Sequence, residues 1–176
     1  MYQSIRDLVD QVAVHIINCP TPTIENAVLE SARDFCKRTR CHKVKGSVTA
    51  REGKLAYEFF ANEPYTKVVD ITDPSKAGFV AADTLTLDQE YVGVVTATLI
   101  LVPAFRAKKV WEPLTTDHSD GIVAGALSRL YRQQAAAYFN PDLARQESTR
   151  YADEIHNTRM TTNPPRQVKQ RGHSWI

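Results

Sequence analysis

The hydrophobic periodicity changes twice along the chain, and this change limits what the chain can fold into. Up to Arg40 and again after Asp117, apolar residues recur every three or four positions, as on one face of an α-helix. Between Cys41 and Pro103, β-branched residues alternate with polar ones, and no helical crossover interrupts them. We therefore expect an α+β fold: a helical body of two N-terminal and two C-terminal helices with a small central antiparallel β region, as a sheet or small sandwich.

Start and stop signals place the four helices. The first is predicted from Tyr2 to Ile17, and the second from Thr21 or Thr23, where Thr21 followed by Pro22 fits a helix cap with proline at the first helical position. The third is predicted from a cap at Asp117 or Ser119, and Gly121 and Gly125 within it indicate close helix packing. The fourth is predicted from the Asn140-Pro141-Asp142 start signal to about Met160, with a thin apolar line of Leu143, Tyr151 and Ile155.

The middle region contains five runs with strand character, separated by turn residues such as Asn62-Glu63-Pro64 and Asp73-Pro74-Ser75. These runs are Val44–Ala50, Leu55–Phe60, Thr66–Ile71, Phe79–Leu87 and Tyr91–Val102.

The chain of 176 residues is long enough for one domain with a hydrophobic core, which we assign to residues 1–160. Residues 161–176 are predicted to be an extended basic tail, because Pro164-Pro165 stop the helix and Arg166, Lys169 and Arg171 follow without an acid. The net charge of +2 does not favour nucleic-acid binding across the whole surface. With no signal-peptide pattern and no long apolar run, we expect a protein made in a cytosol that does not enter a membrane.

The sequence contains no arrangement typical of catalysis, so we expect no enzymatic activity. His15, His118, His156 and His173 lie outside any nucleophile–base motif, and no glycine-rich phosphate loop is present. Cys36, Cys41 and His42 could supply three zinc ligands, but the usual tight cysteine pairs are missing and Cys36 falls on a buried helix face. We expect no metal and no cofactor. Trp111 and the segment from Gln133 to Phe139 could present an aromatic platform to bases, although an aromatic stripe at helical spacing is more often core.

Three stretches carry a resemblance to a known family. The first is a Cys19-Pro20 turn followed by the helix Ile24–Thr39, which ends in Phe-Cys-Lys-Arg-Thr. The second is the small-residue helix Gly121–Tyr131, and the third is Tyr138–Ala144, which opens a long polar helix that leads to a basic tail. In order and spacing these stretches, about half of the chain, resemble the head–tail connector (adaptor, or head-completion) proteins of tailed bacteriophages.

The resemblance implies a structural virion protein at the head–tail junction, made in the host cytoplasm. Such a protein would form a dodecameric ring that joins the portal protein of the capsid to the tail or nozzle protein. Packaged DNA would pass through its lumen without sequence-specific binding. The tail would then bind the portal or a neighbouring subunit, through Arg166, Lys169, Arg171, His173, Trp175 and Ile176. The alternative function is that of a small nucleic-acid-binding regulatory protein, which would bind through its basic C-terminus.

The tail hypothesis predicts the result of a truncation. Sixteen extended residues reach about 50 Å at 3.3 Å per residue, so the tail could lie on another subunit. Deletion from Thr162 onward should leave the melting temperature unchanged, as measured by circular dichroism, and should abolish attachment to the portal or to neighbouring subunits. Complete, DNA-retaining particles assembled from the truncated protein would show that the tail does not hold the ring in place.

Overall fold

The structure is a computed structural model that describes residues 1–60 and 63–162. Within these ranges the fold is α+β, as predicted, and every pair of strands is antiparallel. The helices are α1 Arg6–His15, α2 Thr21–Thr39, α3 Ser119–Leu130 and α4 Pro141–Thr162. The strands are β1 Tyr2–Ser4, β2 Lys43–Ala50, β3 Ala56–Glu58, β4 Thr66–Thr72, β5 Gly78–Ala81, β6 Thr84–Leu87, β7 Gly93–Pro103 and β8 Lys109–Trp111.

The central β region is a sandwich of two three-stranded sheets. One sheet has the order β2-β7-β4 and the other has the order β3-β6-β5. Alternating side chains from both sheets fill one shared core, since a strand directs successive side chains to opposite faces. This core includes Tyr57, Val68, Leu85, Val95 and Leu99.

The four helices and the short β1–β8 pair form a second core. The apolar stripe of α2 lies at its centre: Ile24, Val28 and Phe35 are fully or almost fully buried, as the helical spacing predicts. Helix α4 packs against α3 and α2. Asn140 caps α4 as predicted, because its side-chain oxygen accepts hydrogen bonds from the backbone N–H groups of Asp142 and Leu143.

The predicted extent of the first helix and two predicted helix caps are wrong, whereas α2 begins at Thr21 as predicted. Residues Tyr2–Ser4 are a strand paired with Lys109–Trp111, so the first helix is shorter than its apolar spacing suggested. Helix α2 has Pro20 rather than Thr21 at its cap position, and no side chain caps it. Helix α3 likewise begins after His118, so neither Asp117 nor Ser119 caps it.

The segment Phe79–Leu87 also differs from the prediction. It is two strands, β5 and β6, joined by a turn in which Ala82 has a φ of 53°. Helix α3 ends at Leu130, and Ala135–Ala137 lie in a partly exposed loop after it. Leu143 is partly exposed, whereas Tyr151 and Ile155 are buried on α4 as predicted.

The prediction of close packing at Gly121 and Gly125 is confirmed. A Cβ atom at Gly125 would lie 2.9 Å from the ring of Tyr151 and 3.2 Å from the Cβ of Ser31. Tyr151 cannot easily move, because its buried hydroxyl lies 3.0 Å from the carbonyl oxygen of Ser31 and 2.9 Å from the Asp34 carboxylate, which share its single hydrogen. At Gly121 the added atom would meet the side chain of Glu154, which is half-buried and can rotate.

These contacts predict different costs for the same substitution. Alanine is favoured over glycine by about 1 kcal/mol in a helix interior, and this gain is common to both sites. Overpacking against Tyr151 costs about 1–3 kcal/mol, so Gly125→Ala should be less stable than Gly121→Ala by about that amount. Urea unfolding of the two variants measures the difference, and equal stabilities would contradict the close packing at Gly125.

Candidate interaction surfaces and the His42 cluster

The partner-binding residues predicted from the sequence all lie outside the described residues: Arg166, Lys169, Arg171, His173, Trp175 and Ile176. They follow Thr162, the last residue of α4, whose carbonyl oxygen accepts a hydrogen bond from Lys43 Nζ at 3.3 Å. The Thr162 hydroxyl also donates to the carbonyl oxygen of Thr39 at 3.4 Å. Residues 163–176 therefore follow a point fixed beside the first residue of β2, and their binding role stays a prediction.

The connection between α2 and β2 is short and tightly held. Arg40 ends α2 in the left-handed conformation, with a φ of 54°, and its N–H donates to the carbonyl oxygen of Cys36 at 2.8 Å. The Arg40 guanidinium forms an ion pair with Asp70 of β4 at 2.8 Å. One residue thus ends a helix of the body and joins it to the sandwich.

Cys36 and Cys41 lie on either side of this turn as buried free thiols. A hydrogen bond with the Cys36 thiol lowers the pKa of Cys41 to about 7, although burial opposes the shift. The same hydrogen bond and the burial raise the pKa of Cys36. The contact fits the apolar pairing that accompanies this kind of helix end. Within residues 1–60 and 63–162, no three His, Cys, Asp or Glu side chains are placed to hold a metal ion.

His42 follows Cys41 and is buried in an aromatic cluster. Its ring stacks on that of Trp111, with 4.5 Å between centroids and an interplanar angle of 4°. The ring of Tyr2 lies 6.3 Å away, between His42 and Tyr65. His42 is only 4% exposed, and no described residue offers its Nδ1 atom a hydrogen bond. Burial of the ring lowers the pKa of His42 to about 4, although the negative charge of Glu63 opposes the shift.

This His42 cluster connects three parts of the chain. Tyr2 belongs to β1 and Trp111 to β8, whereas His42 precedes β2. The Tyr2 hydroxyl donates to Glu63 at 2.9 Å. Burial of the hydroxyl raises the pKa of Tyr2, and this hydrogen bond raises it further. The sequence suggested His42 only as a zinc ligand, and the structure gives it a packing role instead.

The other described histidines do not form a nucleophile–base pair. His118 Nδ1 lies 3.4 Å from Glu154, and its ring packs on Phe35 at 5.0 Å. The backbone carbonyl of His15 accepts a hydrogen bond from the Tyr131 hydroxyl. His156 is exposed on α4.

The exposed apolar side chains of the helical body include two groups. Phe105, in the loop before β8, is 74% exposed, and the guanidinium carbons of Arg33 and Arg106 lie 5.9 and 5.3 Å from its ring centroid. These three residues are called the Phe105 patch. Val14 and Ile17, near the end of α1, are both exposed and form the second group. Neither group was predicted from the sequence, because Ile17 falls within the apolar spacing of the first helix and Phe105 lies in a loop, where no periodicity reports exposure.

The aromatic platform considered from the sequence is not continuous in the structure. Trp111 stacks on His42, whereas the Tyr138 hydroxyl donates to Gln133 at 2.6 Å. Phe139 lines a separate cleft with Arg132 and residues of α4. These aromatic residues therefore do not offer one surface on which successive bases could stack.

Comparison with known families and proteins gives no match: no family model and no curated protein is similar to this chain. Among the described helices, none has a stretch apolar and long enough to span a lipid bilayer.

Burial of His42 predicts how stability depends on pH. The pKa of about 4 in the folded protein lies below the ordinary value of 6.5, so the unfolded chain binds a proton first as the pH falls. The contribution of His42 to the free energy of unfolding is therefore complete above about pH 6.5 and is lost as the pH falls toward 4. The loss reaches roughly 2 kcal/mol at pH 5.

His42→Phe keeps the stacking on Trp111 and removes this titration. The variant should therefore lose less stability than the unmodified protein between pH 7.5 and pH 5, by roughly 2 kcal/mol in urea unfolding. The exposed-site variant His156→Phe serves as the control and should follow the unmodified protein. The same pH dependence in His42→Phe would show that His42 is not the responsible group.

Proposed function

We propose that the protein is a structural, non-catalytic subunit of a ring that joins the portal of a tailed bacteriophage to its tail. The ring, dodecameric by the family resemblance, would sit at the head–tail junction of the virion and continue the DNA channel. The proposal rests on the resemblance of the three helical stretches and on the surfaces of the helical body.

The observation that carries the proposal is the pair of exposed apolar groups on separate elements of the body. A closed ring needs two different surfaces on each subunit, one for each neighbour. The Phe105 patch combines an exposed aromatic ring with two guanidinium groups, a composition favoured in protein interfaces. Val14 and Ile17 provide an apolar group on α1 to which such a patch could pack.

Helix α4 supports the same function. Its 22 residues span about 33 Å, yet its buried residues form a single line: Ala144, Glu147, Tyr151, Ile155 and Thr158. The remaining face is mostly polar, with Leu143 and Met160 as exposed apolar side chains. This composition suits contact with a neighbouring subunit or a portal more than a monomer core. Weak contacts of this kind are multiplied when many copies assemble on a pre-formed portal ring.

Residues 163–176 would add a further contact with the portal or a neighbouring subunit. This part of the proposal rests on their sequence, with three basic residues and a closing Trp175-Ile176. They follow Thr162, which the structure fixes beside Lys43.

The test is co-sedimentation with a purified cognate portal, followed by electron microscopy of the complex. The protein should sediment with the portal as a ring. Phe105→Asp should raise the Kd for the portal at least about tenfold, equivalent to 1.4 kcal/mol, because it places a carboxylate in a packed interface. Phe79→Asp, at an equally exposed phenylalanine of the sandwich, is the matched control and should still bind.

Two results would contradict the proposal. One is a failure of the unmodified protein to sediment with the portal. The other is tight binding to free DNA that weakens steeply with added salt, which would favour the nucleic-acid-binding regulator instead.

A further inference from the structure

The strands β2 and β3 are joined by a short turn, yet they do not pair with each other. β2 pairs with β7 and β3 pairs with β6, so the two strands separate into different sheets. The turn between them is held by the Tyr57 hydroxyl, which donates to the carbonyl oxygen of Lys54 and accepts from the N–H of Arg51. The strands thus border a groove that this turn closes at one end and that Phe60 helps to line.

Backbone groups of β2 point into this groove. The carbonyl oxygen of His42 accepts a hydrogen bond from the N–H of Leu101. This bond shows which residues of β2 direct their backbone groups toward β7. In an antiparallel pair, alternate residues direct both backbone groups toward the partner strand. The backbone N–H and C=O groups of Gly46 and Val48 therefore point toward β7, whereas those of Lys45, Ser47 and Thr49 point away from β7, toward the groove. No hydrogen bond joins the outward groups of these three residues to any part of 1–60 or 63–162.

The edge of β3 that borders the groove is also unpaired. The N–H of Leu87 donates to the carbonyl oxygen of Leu55, and that of Phe59 donates to Asp83. The alternation therefore turns the backbone groups of Ala56 and Glu58 toward the groove. The two unpaired strand edges border a space of about 710 Å³.

The side chains of the groove define what it would accept. Val48, Ala56 and Tyr57 line its inner surface, and Phe60 stands at its open end with 75% of its surface exposed. Lys54 lies at the closed end over the Tyr57 ring, and Lys45 is exposed on β2. Glu58 of β3 carries the one carboxylate among the residues that line the groove. Lysine on an edge strand commonly serves to prevent uncontrolled strand pairing. That role alone does not explain an exposed phenylalanine at the mouth of the same groove.

We propose that the groove between β2 and β3 binds an extended acidic segment of another polypeptide chain, which adds a strand to the free edge of β2. Main-chain hydrogen bonds to Lys45, Ser47 and Thr49 provide the binding energy, and apolar side chains of the segment pack on Val48 and Phe60. Acidic side chains of the segment pair with Lys45 and Lys54. The edge from Lys45 to Thr49 spans about 17 Å, so a segment of about five to seven residues covers it.

The first experiment measures binding of a defined probe. The probe is a blocked heptapeptide of alternating aspartate and valine, and its control has lysine in place of aspartate. Fluorescence anisotropy should show binding of the acidic peptide and at least tenfold weaker binding of the basic one. Lys45→Glu should reduce or reverse this preference. Equal affinity for the two peptides, or no binding of the acidic peptide at millimolar concentration, overturns the proposal.

A matched pair of variants tests the backbone contact. Ser47→Pro removes an N–H that faces the groove and leaves the hydrogen bonds to β7 in place, whereas Ser47→Ala keeps that N–H. Ser47→Pro should weaken binding of the acidic peptide at least tenfold relative to Ser47→Ala, with both variants equally folded by circular dichroism. Equal binding by the two folded variants overturns strand addition at this edge.

Amide hydrogen exchange of the unmodified protein tests the same contact without a variant. The amides of Lys45, Ser47 and Thr49 should exchange rapidly in the free protein and slow at least tenfold with the acidic peptide. Gly46 and Val48, already bonded to β7, should change little. Protection of the three outward amides in the free protein, rising with protein concentration, would mean that a second copy occupies the edge, and this overturns the proposal. These experiments need no portal, so their failure is distinct from failure of the proposed function.

Discussion

Strand β7 contributes to both hydrophobic cores, and the relative position of the helices and the sandwich depends on it. Val95, Leu99 and Leu101 face the sandwich core, while Val102 on the opposite face lies in the helical core. Burying each such side chain contributes about 1.5–3 kcal/mol. A slip of one residue in the pairing of β7 would exchange the two sets of side chains and expose both cores. The eight residue pairs between β2 and β7 keep that register fixed.

The sequence predicts the fold class because periodicity reports which faces are buried. It predicts α2 well, since Ile24, Val28 and Phe35 follow one helical stripe. It cannot predict β1 and β8, because three residues are too short to show a period, and these strands form only through pairing between distant parts of the chain. The turn between β5 and β6 escaped prediction for a local reason: Ala82 adopts a positive φ without glycine, asparagine or proline to signal it.

The candidate surfaces were less accessible to sequence reasoning than the fold. Periodicity cannot show that Phe105 is exposed, since that depends on where the loop before β8 lies. The environment of His42 is equally non-local, because its stacking partner Trp111 is distant in sequence and reaches it only through the β1–β8 pair. The edge of β2 is free because β2 is the outer strand in the order β2-β7-β4. Alternating apolar and polar residues predict a strand but do not predict its place in a sheet.

The backbone and the side chain of Arg40 have different roles at the joint between α2 and the sandwich. Its backbone adopts the left-handed conformation that ends α2, while its side chain reaches Asp70 in the sandwich at 2.8 Å. Glycine or asparagine would satisfy the backbone conformation equally well but would lack the guanidinium. The secondary structure of the joint is therefore set by its main chain, and its stiffness depends in addition on an ion pair that salt can screen. Added salt would therefore weaken this contact between α2 and β4 while both cores, which share β7, stay packed.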